Sequence, residues 1–86
     1  MPKGSGRRAR LVVLEPAATQ IRALESDPAA LARLEAALDT IVAQPDEAPV
    51  HATVAALRDF RAGGVRVIYY ATALGSIVIV TYVEVD

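Results

Sequence analysis

The sequence has 86 residues, 53% of them apolar, with ten acids against nine lysines and arginines, one histidine and no cysteine. That length gives one small domain with a single core, and the apolar share excludes a disordered chain. The missing cysteines exclude disulfides, thiolate catalysis and cysteine-based zinc sites, and His51 alone builds no metal centre. The net charge of −1 hides a polarity, because residues 1–10 hold four cations and no acid while residues 11–57 hold two arginines against seven acids. A domain near neutrality does not bind nucleic acid by bulk charge, so any such contact has to be local.

Residues 1–7 read as a flexible N-terminal segment, glycine-rich and polar, ahead of a single domain over 8–86. Arg8 to Leu14 reads as a short strand, and the unbroken Leu11-Val12-Val13-Leu14 run predicts cover on both faces. That run is too short for a secretory signal, which leaves a cytoplasmic location as the expectation. Pro16 opens a first helix that runs to about Ser26, with Ala17, Ile21 and Leu24 on one face. Asp27-Pro28 then supplies an N-cap acceptor and a first-turn proline for a second helix. Its stripe is Leu31, Leu34, Leu38, Ile41 and Val42, and it stops before Pro45. With so short a link, the two form an antiparallel helical hairpin.

After a loop over Gln44–Val50, three strands are expected at Thr53–Ala62, Val65–Thr72 and Ser76–Val85, joined as an antiparallel meander. The stretch from Val67 to Val83 has 17 residues without a charge, but Gly75-Ser76 and its β-branched residues suit a hairpin better than a membrane helix. In the last strand, strict alternation would put Ile77, Ile79, Thr81, Val83 and Val85 on one face and Val78, Val80, Tyr82 and Glu84 on the other. Both sets are largely apolar, and two helices cover one face of a sheet. The second face is therefore a bare apolar patch or the seat of a partner, a second copy of the chain included.

The chemistry concentrates in Leu57–Tyr70, LRDFRAGGVRVIYY. Gly63-Gly64 fits a type I′ turn, whose two central residues both need positive φ. A two-residue loop pairs Ala62 with Val65, Arg61 with Arg66, Phe60 with Val67 and Asp59 with Ile68. Like charges facing each other across strands are destabilising unless an anion lies between them, so Arg61 and Arg66 are candidates for a phosphate site, with Arg58 nearby. A wet hairpin tip, or an ordinary ion pair with Asp59, is the competing reading. No cofactor or metal is expected.

The order β-α-α-β-β-β and the segment Leu57-Arg58-Asp59-Phe60-Arg61-Ala62-Gly63-Gly64-Val65-Arg66-Val67-Ile68-Tyr69, with Leu11-Val12-Val13-Leu14-Glu15-Pro16 before the first helix, resemble the RelE/ParE superfamily of type II toxin-antitoxin toxins. The resemblance implies an α+β fold in which an N-terminal helical hairpin packs on an antiparallel sheet. It also implies growth inhibition and a cognate antitoxin that wraps the toxin. RelE-like members cut mRNA on the ribosome, ParE-like members inhibit gyrase, and a binding module that has lost catalysis is a third outcome. Under the nuclease reading, Arg66 and then Arg61 are the catalytic candidates, and Arg58, Arg61 and Arg66 would hold RNA phosphate. Two departures bear on it: Leu57 and Asp59 stand where the nucleases carry lysines, and Glu84-Val85-Asp86 stands where they run into a basic stretch and a C-terminal tyrosine or histidine.

Overall fold

Sequence alternation and helix capping together set the architecture of the computed structural model, which describes residues 8–86. The expected N-terminal segment, residues 1–7, lies outside the described residues. The elements are β1 (Arg10–Val13), α1 (Ala17–Ala23) extended by a 3₁₀ turn over Leu24–Ser26, α2 (Pro28–Ala43), β2 (Arg58–Ala62), β3 (Val65–Ala71) and β4 (Ile77–Val85). The sheet order is β1-β4-β3-β2, so the α+β order expected from sequence holds.

Asp27 caps α2 by accepting the Ala30 N–H at 3.2 Å, and Pro28 occupies the first turn, where its missing N–H costs nothing. Along α2, Ala30, Leu34, Ala37 and Ile41 recur at helical spacing and are buried. Leu34, Ala37 and Ile41, with Val42, share one core with Val65, Val67 and Tyr69 of β3, Val78, Val80 and Val83 of β4, Ala17 of α1 and Ala48 of the loop after α2. Both helices thus pack on one side of the sheet, and among the described residues no element covers the other side. No described helix is long and apolar enough to cross a membrane.

Four expectations change in detail. β1 is an edge strand beside β4, with Leu11 39% and Leu14 50% exposed, and is not covered on both faces. It also runs parallel to β4 while the other pairs are antiparallel, so the sheet is mixed. Pro16 is the N-cap ahead of α1 and not its first helical residue, and Glu15 before it accepts from the Thr19 N–H and hydroxyl at 2.9 and 2.8 Å. Those bonds hold the Glu15 carboxyl below its ordinary pKa. β2 starts at Arg58 and not Thr53, because His51 Nδ1 accepts the N–H groups of both Thr53 and Val54 at 3.1 Å and folds the segment into a turn.

The fourth change is in β4. Its register against β3 shifts between Ile68 and Tyr69, with Ile68 opposite Tyr82 and Tyr69 opposite Val80. Thr81 is the extra residue, and it reverses the alternation expected from sequence. Val78, Val80 and Val83 consequently share the core side, while Ile79 and Tyr82 share the open side. Side chains satisfy the bulge: Gln20 of α1 accepts the Val83 N–H at 2.8 Å, and the Thr81 hydroxyl donates to the Ile68 carbonyl at 3.1 Å.

Candidate functional site

Gly63 and Gly64 close the β2–β3 hairpin at φ +59° and +79°, the pair of positive values that a I′ turn requires. The register is the one expected from loop length, with Arg61 opposite Arg66 and Asp59 opposite Ile68. A Cβ at Gly64 would also meet an Arg33 guanidinium nitrogen at 3.0 Å, a tight contact on top of the strain its positive φ imposes.

Asp59 lies on the same side of β2 as Arg61 and diagonally across from Arg66, and it receives both. Arg61 donates through Nε and Nη2 at 3.3 and 3.1 Å, and Arg66 through the same two nitrogens at 3.1 Å each. Its side chain is 13% exposed, that of Arg66 31% and that of Arg61 65%. The hydrogen bonds from Arg66 and then from Arg61 hold the Asp59 carboxyl far below the usual carboxylate range. The same bond raises the pKa of Arg66. On its other side, Arg66 lies opposite Glu84 and 6.0 Å from the centre of the Tyr82 ring.

An open pocket of about 400 Å³ adjoins this cluster, lined by the turn together with Arg61, Arg66, Glu84 and Asp86. Arg33 of α2 ties its floor together by donating to the Asp86 carbonyl at 2.6 Å and the Gly63 carbonyl at 3.4 Å. Three acids, Asp59, Glu84 and Asp86, therefore sit beside Arg61 and Arg66. Two guanidinium forks can hold an oxyanion firmly, but arginine moves protons poorly because it stays charged at any accessible pH.

The structure does not bring Arg58 into the cluster. It lies across from Tyr69, on the core side of the hairpin, and donates to the carbonyls of Ala48 at 2.8 Å and Asp46 at 3.2 Å. Tyr69 is fully buried and donates to the Pro45 carbonyl at 2.6 Å; burial raises its pKa. Tyr70 and Tyr82 lie on the open face, so Tyr69 alone of the three tyrosines belongs to the core. Sequence reasoning missed Arg33 and Gln20, each on a helix and each bonded to a strand far away in sequence, for which local patterns carry no signal.

The open face continues from the arginine cluster as Ile68 and Tyr70 of β3, Ile77, Ile79 and Tyr82 of β4 and Val12 of β1, all half-buried except the more exposed Tyr70. No family model matches the sequence, and no curated protein matches it. Among solved structures, the fold is similar to a chain of the toxin-antitoxin complex RelBE2 from Mycobacterium tuberculosis, with a TM-score of 0.75 and 20% identity over 92% of this chain and 99% of that one.

Proposed function

From the RelE-type toxin fold that this chain shares with the RelBE2 structure, we propose that it is the toxin-like component of a bacterial type II toxin-antitoxin module, with a cognate antitoxin as partner. The observation that carries this reading is the uncovered sheet face. Val12, Ile68, Ile77, Ile79 and Tyr82 form a half-buried apolar strip ending in the Asp59, Arg61 and Arg66 cluster. An apolar centre with a charged margin is the anatomy of a protein interface. An antitoxin segment laid along it would bury this strip, and the similar structure is itself a toxin in complex with an antitoxin.

Growth inhibition, through translation or another target, is the effect this fold suggests. Ribosome-dependent mRNA cleavage would need a group to deprotonate the 2′-hydroxyl, charge stabilisation at phosphorus and a proton for the leaving oxygen. Arg66 fits the second task, while Tyr82 and Glu84 flank it as candidates to move a proton. An inhibitor acting by binding, on gyrase or another target, needs none of the three, and the acids around Arg66 suit that form better.

Induced expression in bacteria with mRNA ends mapped tests the reading. The expected result is growth arrest that the product of a small adjoining reading frame relieves, with mRNA intact. Codon-positioned cuts that vanish in Arg66→Ala would establish the nuclease instead, and impaired gyrase the ParE-like route. Normal growth at good expression would leave a binding module and overturn the toxin reading.

A further inference from the structure

Arg61 and Arg66 lie directly opposite each other on neighbouring strands, and both aim their Nε and Nη2 donors at one carboxylate. We propose that this hairpin is an oxyanion site of phosphate type that the chain keeps filled with its own Asp59.

The geometry carries this in three steps. A facing pair of arginines repels unless an anion lies between them, and Asp59, two residues before Arg61 on the same side of β2, is the anion the strand provides. A guanidinium fork grips a carboxylate and a phosphate edge alike through two parallel N–H donors, so the place where Asp59 sits is one where a phosphate would sit. The cluster also opens on the 400 Å³ pocket at the turn, which gives an external anion a way in.

Asp59 nevertheless wins the competition. It is tethered, so it acts at an effective concentration that a free ligand has to exceed. Glu84 and Asp86 line the same pocket and repel an incoming anion, while Arg58 is engaged on the opposite side of the hairpin. A proton does not release the carboxylate, because Arg61 and Arg66 hold it ionised and Tyr82 and Glu84, the other titratable groups close to Arg66, supply no cation. In the native chain the two arginines therefore serve the hairpin and do not grip the phosphates of a nucleic acid. This stands on the hairpin alone, independently of the toxin reading.

Titration with inorganic phosphate at constant ionic strength, followed through the arginine Nε–H signals in NMR, tests it on the native chain, Asp59→Asn, Asp59→Ala and Asp59→Ala with Arg66→Ala. The native Arg61 and Arg66 signals should stay put over the range that saturates Asp59→Ala. The freed forks should tighten phosphate by about tenfold or more, and the double variant should lose that gain. Asp59→Asn, nearly the same shape, should fall between. A saturable shift of the native Arg66 signal at the same phosphate concentrations would overturn the proposal, and so would a folded Asp59→Ala or Asp59→Asn that gains nothing. If Asp59→Ala fails to fold, the native chain and Asp59→Asn decide. Growth arrest is a separate readout, so the toxin reading and this one fail separately.

Discussion

The two faces of the sheet are built from alternate residues of the same strands, yet they differ in how their polar groups are used. On the helix-covered face, Val67, Tyr69, Val78 and Val80 are fully buried against Leu34 and Ile41. The polar atoms there are bound to backbone: the Tyr69 hydroxyl to Pro45, Arg58 to Ala48 and Gln20 to Val83. On the open face the apolar residues stay half-exposed, and the charges pair with each other through Asp59. Burial on the first face holds the chain folded, whereas the half-exposed apolar strip of the second contributes little to folding and suits recognition.

Substitutions in the buried core and in the open face's apolar strip should therefore separate cleanly, with the Asp59 cluster between them. Leu34→Ala removes a fully buried side chain from the covered face and should cost about 3 kcal/mol in urea unfolding. Asp59→Ala should follow at about 2 kcal/mol, because it strands Arg66 beside Arg61; the exposure of Arg61 keeps the figure from rising further. Its pH dependence has a definite sign. A carboxyl whose pKa is lowered on folding contributes in full above its ordinary value of 3.8, and the contribution fades as pH falls from there toward the depressed folded value. The stability gap between the native chain and Asp59→Asn should then be flat from pH 8 to about pH 5 and narrow only in stronger acid.

Gln20→Ala should cost about 1 kcal/mol by leaving the Val83 N–H at the bulge without its acceptor. Ile79→Ser, on the open face, should change stability of the isolated chain by less than about 0.5 to 1 kcal/mol while weakening partner binding measurably by calorimetry. A large loss of stability in Ile79→Ser would erase the distinction between the faces.

The hairpin was legible in the sequence because its information is local. Gly63-Gly64 sets the turn, the turn sets the register, and the register places Asp59 beside both arginines. The helices were legible for the same reason, from Asp27-Pro28 and the apolar spacing of α2. The alternation of β4 was not, because the extra residue at Thr81 carries no glycine or proline to announce a bulge and is stabilised by Gln20, some sixty residues away in sequence. The parallel placement of β1 and the Arg33 contacts with Gly63 and Asp86 likewise depend on tertiary packing. The sides taken by Arg58 and Arg66 followed from strand register, but what Arg58 binds required the path of the 45–50 loop, which composition does not give.

The open face has its most direct test in bacteria induced to express the native chain or Ile79→Asp at matched soluble levels, the variant first shown to be folded. If this face carries recognition, the native chain arrests growth and Ile79→Asp does not. Equal arrest by both proteins would contradict that role, whereas equal growth would overturn the toxin reading.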